Sequence, residues 1–274
     1  MKGTLFIVST PIGNLEDVTL RALRVLKEVD VIAAEDTRHS LKFLTHYGIR
    51  KPLISYWGEK EKTRADETLA RLKEGRDVAL ISDAGTPGIS DPGTVLIGKA
   101  IEEGIRVVPV PGPSAAIAAL SLSGFSTEEF AFVGFLPARQ SQRRKKIERL
   151  SLEHRTLVCY EAPHRILDAM DDFAEIVGDR KVVVIKELTK FHEEVLRGSV
   201  AEVRELLDGS VIAGEYVIVL EGRPEAQTMN MGDAVAEVGE LMRKGLSRKD
   251  AAKRIAAAYG LSRKALYDQS LEER

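Results

Sequence analysis

The chain has 274 residues, 44% hydrophobic and 30% charged, with a formal net charge of −2 at pH 7. That supplies apolar material for about two domains of ~150 residues each. The near-neutral balance excludes recruitment of a polyanion by a global basic field, so any nucleic-acid contact has to come from local patches. No apolar run approaches the ~18 residues of a membrane span. Met1-Lys2-Gly3 leads straight into a strand, and the single cysteine, Cys159, has no second thiol to pair with. A core thiol in a reducing cytoplasm, with no secretory leader, is the expectation.

Residues 4–9 read as a buried strand. The loop Thr10-Pro11-Ile12-Gly13-Asn14-Leu15-Glu16-Asp17 follows, with Asp17 placed to cap a helix over 20–29. A strand over 30–34 ends in Glu35-Asp36-Thr37-Arg38. A helix over 40–47, a short strand at 53–55 and a charged helix over about 59–73 come next. The apolar run 78–81 then opens onto Ser82-Asp83-Ala84-Gly85-Thr86-Pro87-Gly88-Ile89-Ser90-Asp91-Pro92-Gly93, with Asp91 as expected N-cap and Pro92 in the first turn of a helix that continues through 101. In open α/β sheets, ligands bind where such loops leave the carboxyl ends of strands. Glycine lets backbone N–H groups approach a ligand closely, although the same residues serve equally as loop punctuation.

A strand at 107–110 and Pro111-Gly112-Pro113-Ser114, opening a small-residue helix over 115–122, complete a run of strands alternating with helices, the pattern of parallel βα units. The first domain is therefore placed at 1–112. A second α/β domain, 113–223, has strands at 130–135, 156–160, 182–185 and 216–220, and helices at 166–177 and 200–207. Within it, Arg139-Gln140-Ser141-Gln142-Arg143-Arg144-Lys145-Lys146-Ile147-Glu148-Arg149 holds six basic residues and one acid. After a polar linker over 223–230, a basic helical tail spans 232–274. Ser247 and Ser262 are its expected N-caps, and the turn at Gly260 is of helix-turn-helix type. Eight basic residues and one acid lie between Leu241 and Lys264.

The usual dinucleotide and phosphate-loop fingerprints are absent from the sequence, as are Cys-x-x-Cys, a Gly-x-Ser-x-Gly elbow and metal-ligand spacing among the five histidines. No metal is expected. What remains is a set of polar strand ends: Glu35-Asp36-Thr37-Arg38, Glu161-Ala162-Pro163-His164-Arg165, Lys186-Glu187-Leu188-Thr189-Lys190 and Ala213-Gly214-Glu215. Taken singly, each reads first as a salt-bridged end of a sheet.

Taken in order, Ser9-Thr10-Pro11-Ile12-Gly13-Asn14-Leu15, Glu35-Asp36-Thr37-Arg38, the loop over 82–93, Pro109-Val110-Pro111-Gly112-Pro113-Ser114-Ala115, Glu161-Ala162-Pro163-His164-Arg165 and Lys186-Glu187-Leu188-Thr189-Lys190 resemble the tetrapyrrole-methylase-like superfamily. Within it they resemble the bacterial branch that methylates a ribose 2′-oxygen of small-subunit (16S) ribosomal RNA, and the resemblance includes the basic tail. It implies two α/β domains with S-adenosyl-L-methionine (SAM) bound in the cleft between them. By motif position, Pro11, Asp83, Gly88, Ile89, Ser114 and Ala115 would line the donor from the first domain, and Glu161, Ala162, Ala213 and Gly214 would close it from the second. It further implies a decoding-region cytidine as acceptor and a homodimer, in which one subunit's tail would guide RNA toward the other's cleft.

The implied chemistry is displacement: a ribose 2′-hydroxyl attacks the sulfonium methyl. Positioning supplies much of the acceleration, and a base has to take the hydroxyl proton. Glu35, Asp36 and Glu187 are candidates, with Lys186 if burial depresses its pKa. Arg38, Arg165 and Lys190 would hold phosphates, and Arg143, Arg144, Lys145, Arg248 and Lys249 would neutralise the RNA backbone. Two other readings stay open. One is a methyltransferase for a ring carbon of a corrin or porphyrin precursor, against which the basic stretches argue. The other is a SAM-sensing nucleic-acid-binding regulator, against which the short tail and slightly acidic balance argue.

Overall fold

The computed structural model describes residues 1–56, 61–224 and 229–272. Glu59 and Lys60 at the expected start of the third helix, positions 225–228 of the expected linker, and 273–274 lie outside the described residues. The chain forms two compact units, Met1–Gly222 and Arg223–Arg274.

The first unit opens with β1 (Thr4–Val8), α1 (Leu20–Glu28), β2 (Val31–Ala34), α2 (Thr37–His46), β3 (Leu53–Ser55), α3 (Glu61–Lys73), β4 (Val78–Ile81), α4 (Thr94–Glu102) and β5 (Arg106–Val110). The strands form one parallel sheet in the order β3-β2-β4-β1-β5. Both faces of this sheet are covered, which is why β2 and β4 read as unbroken apolar runs. Leu5, Val78 and Leu80 pack on one face against α3 and α4, and Val8, Ile32 and Ile81 pack on the other against α1 and α2.

Two caps and one helix start differ from expectation. Thr19, not Asp17, caps α1 by accepting the Ala22 N–H at 3.1 Å, because Asp17 is itself the last residue of a short 3-10 turn. The second helix starts three residues early, because Asp36 accepts the Arg38 and His39 N–H groups and caps it at Thr37. Gly93, at φ 143°, is the N-cap of α4 in place of Asp91.

The chain continues with α5 (Ala115–Ser123), β6 (Phe130–Phe135), α6 (Gln140–Leu150), β7 (Thr156–Glu161), α7 (Ile166–Val177), β8 (Lys181–Lys186), β9 (Glu194–Ser199), α8 (Val200–Asp208) and β10 (Tyr216–Leu220). This second sheet, ordered β6-β7-β10-β8-β9, is mixed: only β6 and β7 run parallel. One face packs Val158, Val183, Val217 and Val219 against Ala116, Ala119 and Leu120 of α5. The opposite face packs against α6, α7 and α8 through Ile147, Phe173 and Val203. Ser199 and Glu202 form a reciprocal capping box that starts α8 directly from the edge strand β9.

The second unit holds α9 (Met231–Arg243), α10 (Arg248–Tyr259) and α11 (Arg263–Glu272) around Ala234, Val238, Ala252, Ile255 and Leu266. Ser247 accepts the Asp250 N–H at 3.1 Å, and Ser262 accepts the Ala265 N–H at 3.3 Å, as expected of N-caps. Gly260 ends α10 in the left-handed region at φ 65°. No helix among the described residues is long and apolar enough to cross a membrane.

Candidate active site

In the first sheet β1 and β4 are parallel neighbours, so the loops after them leave from the same carboxyl end. They are tied together. Thr10 and Gly85 exchange N–H···O=C bonds of 2.8 and 3.1 Å, Thr10 Oγ1 donates to Ser82 O at 3.1 Å, and the Ser9 and Thr86 hydroxyls meet at 2.8 Å. The second loop then doubles back. Ser90 takes φ 66°, and the Gly88 N–H donates to Pro92 O at 3.3 Å. Glycine is required at 93, where a Cβ would stand 3.0 Å from Leu80 Cδ2 in a region of positive φ.

Across from these loops stands the second sheet. A register shift between Phe132 and Phe135 places Gly134, at φ 66°, against the Ser90 hydroxyl. Tyr160 is held by edge-on contacts with Phe132 and Phe135, at ring-centroid distances of 4.9 and 5.5 Å. Its hydroxyl accepts the Ala116 N–H at 3.1 Å, in the first turn of α5. Between the two sheets lies a cleft of about 310 Å³, at the small end of the range for ligand pockets. Its walls are mostly apolar: Ile12, Ala84, Ile89, Ala115, Phe135, Tyr160, Leu188 and Val217, with Ser114, Asp91, Glu161 and Glu215 as polar groups.

Of the ten residues expected to hold the donor, Ile89, Ser114, Ala115, Glu161 and Ala162 line this cleft. Pro11 and Asp83 instead line a neighbouring hollow of about 300 Å³ toward α2. Gly88 lies within the loop, against Thr94 and Ile97, and Ala213 and Gly214 adjoin Glu215 rather than line the cleft themselves. The Glu161 side chain is fully buried. One oxygen, Oε1, accepts the Arg165 guanidinium and the Ala162 N–H, both at 2.8 Å, while Oε2 has no partner. An unpaired buried carboxylate oxygen is costly unless a ligand completes it.

The four groups expected as proton acceptors do not line the cleft, and each is engaged elsewhere. Asp36 is spent on the cap of α2 and on Arg38, 3.2 Å away, whose guanidinium holds its carboxyl below the usual range. Lys186 Nζ donates to Val211 O at 2.6 Å. Glu187, at φ 53°, accepts from Lys190 Nζ at 2.7 Å and from the Glu215 N–H at 2.9 Å. Burial raises its carboxyl, but those two bonds and the Lys190 and Lys186 charges leave it below its ordinary value. Glu35 lines a separate polar hollow with Asp36, Arg38, Ser55 and Asp83. It accepts the Asp83 N–H at 3.2 Å, and burial raises its carboxyl.

Among the residues expected to meet RNA, Arg143 is corrected: its side chain is 2% exposed and its Nε lies 2.7 Å from Asp172. Arg144 bonds Asp172 at 3.0 Å and Glu175 at 2.7 Å, so both arginines fasten α6 to α7. Arg165 is committed to Glu161, and Lys190 sits between Glu187 and Glu215. Lys145 and Lys249 are exposed. Arg38 is exposed beside Asp36, and Arg248 lines a hollow in the tail with Arg243. No group of three or more His, Cys, Asp or Glu among the described residues could hold a metal.

Asp91 had been expected as a helix cap. It is half-buried in the cleft wall, where burial first, then the negative charge of Glu35 and further those of Asp83 and Glu215, push its carboxyl up to about 6 against a bond from Ser82. The sequence signal that could have freed it from the cap role is Gly93, two residues on, which can occupy the cap position itself.

Fold and site together define a two-lobed α/β protein that holds a small ligand between a parallel and a mixed sheet, on a glycine-rich loop without a Rossmann fingerprint. The sequence profile described as "Tetrapyrrole (Corrin/Porphyrin) Methylases" matches residues 4–204, and the chain belongs to that family. It is 44% identical over 272 residues to the ribosomal RNA small subunit methyltransferase I of Halalkalibacterium halodurans, covering 97% of this chain and 94% of that protein. With the protein of the same name from Thermotoga maritima it shares 48% identity over 221 residues, 81% of this chain and 99% of that one. Uroporphyrin-III C-methyltransferase from Thermus thermophilus, solved in complex with S-adenyl homocysteine, has the same fold at a TM-score of 0.58 and 18% identity, over 80% of this chain and 97% of that one.

Proposed function

We propose that this chain is a SAM-dependent methyltransferase that modifies a ribose 2′-oxygen in small-subunit (16S) ribosomal RNA, at a cytidine of the decoding region. The observation that carries this reading is near-full-length identity to proteins bearing that ribosomal RNA methyltransferase name, tail included. The cleft suits the donor. Its apolar walls would take an adenosyl group, and the lone Glu161 Oε2 calls for a hydroxyl or ammonium donor. SAM supplies a methyl group already activated on a positively charged sulfur.

In this reading Ile89, Ser114, Ala115, Glu161 and Ala162 contact the donor, and Pro11, Asp83, Gly88, Ala213 and Gly214 shape the loops around it. The acidic strand ends Glu35 and Asp36 and the Lys186–Glu187 corner flank the acceptor side. Exposed Arg38, Lys145 and Lys249 face phosphates, where each cation adds salt-sensitive affinity. The division of the chain at 112, 223 and 232 separates donor-binding lobes from an RNA-directed tail, and the enzyme works as a cytoplasmic homodimer on ribosomal subunits.

Incubation with methyl-labelled SAM and unmethylated small subunits tests this. Label on a ribose oxygen is the expected result. Label on a ring carbon of added tetrapyrrole would favour the second methyltransferase reading, and donor binding without transfer would favour a sensor.

A further inference from the structure

We propose that Asp91 is the catalytic base, its carboxylate standing in the cleft wall to take the proton of the acceptor hydroxyl as the methyl group is transferred. The inference rests on the methyltransferase reading above and adds a residue to it. Three carboxylates among the described residues line the cleft: Asp91, Glu161 and Glu215. Glu161 is fully buried and ion-paired with Arg165. Glu215 is 72% exposed and lies 3.0 Å from Lys190 Nζ. Asp91 is left, half-buried in the cleft that Ile89, Phe135 and Tyr160 also line, and Gly93 has taken the capping duty that its position suggested.

The surroundings suit the task. Burial first, and then the negative charges of Glu35, Asp83 and Glu215, make the Asp91 carboxyl more basic than an ordinary aspartate despite a bond from Ser82, and the same acids make the cleft favour a cationic sulfonium. A base is most effective with a pKa near the working pH. The unpartnered Glu161 Oε2 in the same cleft independently points to a bound ligand there.

The step balances. The acceptor oxygen forms a bond to the methyl carbon, the carbon–sulfur bond of the donor breaks with its electron pair staying on sulfur, and Asp91 accepts the hydroxyl proton. Neutral thioether and a methyl ether result, and the proton then passes to solvent.

Asp91→Asn and Asp91→Glu, assayed beside the unaltered enzyme on small subunits, test the inference. Asp91→Asn is expected to bind SAM by calorimetry within about threefold of the parent while kcat falls by about 10²–10⁴; Asp91→Glu should recover part of that loss. Carbon-13 spectra of the donor-free protein, labelled at its aspartate carboxyls, should show one group titrating near 6 that vanishes in Asp91→Asn. Should that variant fail to fold, the parent's kcat/KM, which reports the free enzyme, must still rise with pH through an ionisation near 6. A parent profile flat from pH 5 to 7, or an unimpaired kcat in Asp91→Asn, overturns the assignment of Asp91 and leaves the methyltransferase reading intact. A parent that transfers no label to ribose overturns both.

Discussion

Arg143 and Asp172 meet at 2.7 Å with side chains only 2% exposed each, so a cation from the most basic stretch of the chain is sealed into the second lobe. Removing one partner strands the other charge. Asp172→Ala is expected to lose about 3–5 kcal/mol of stability. An Arg143→Met, Asp172→Leu double variant should recover most of it, as read by denaturant unfolding.

Gly214 sits at φ 81°, where a Cβ would overlap Glu187 Oε1. Gly214→Ala should therefore expel the Glu187 carboxylate from its bonds with Lys190 and the Glu215 N–H. A stability loss of about 1–3 kcal/mol is expected from backbone strain, with SAM affinity at least tenfold weaker by calorimetry. Retained affinity would separate this corner from the donor site.

The Asp91 carboxyl ordinarily ionises near 3.8 and is pushed up to about 6 in the fold. The folded chain thus binds this proton more tightly than the unfolded one, and stability falls as pH rises from about 4 through 6. Asp91→Asn, which carries no charge, should be more stable than the parent at pH 8. The gain should be on the order of 1–2 kcal/mol, discounted for a half-exposed group, and should disappear near pH 4. Paired urea titrations at the two pH values measure it.

Tyr160→Phe removes the hydroxyl that accepts the Ala116 N–H at the start of α5. A loss of about 1–3 kcal/mol follows from leaving that buried donor unpaired. Because Ser114 and Ala115, the two residues just before Ala116, line the cleft, SAM affinity should fall with it.

Lys145→Ala and Lys249→Ala act on exposed cations rather than on buried pairs. Each is expected to leave the melting temperature unchanged while lowering the slope of log affinity against log salt for small-subunit RNA by about 1. Arg143→Ala, in contrast, should act through unfolding.

The parallel lobe was legible because strands covered on both faces carry continuous apolar runs, as at Val78–Ile81. The edge strand Glu194–Ser199 was not: it pairs with β8 alone, is nowhere fully buried, and carries no apolar run. The helix through Gln140–Leu150 hid behind its charges, with Ile147 its main apolar anchor. At the site, residue types at strand ends were readable, but which of them were already committed was not. Those commitments join positions far apart in sequence, such as Asp83 with Glu35 and Glu187 with Glu215. Asp91 was misread for a local reason, since an aspartate three residues before a helix reads as a cap until the backbone shows glycine there instead.

The placement of β10 bears on how the molecule is made. The parallel sheet is complete once residue 110 has been synthesised, and can form as it emerges from the ribosome. The mixed sheet receives its central strand last, Tyr216–Leu220, between β7 and β8. Until that segment arrives, β7 and β8 each present an unpaired apolar edge, an invitation to intermolecular pairing. Nascent chains stalled shortly before residue 216 should therefore be the species that aggregates and draws chaperones, whereas chains stalled at 130 should remain in solution.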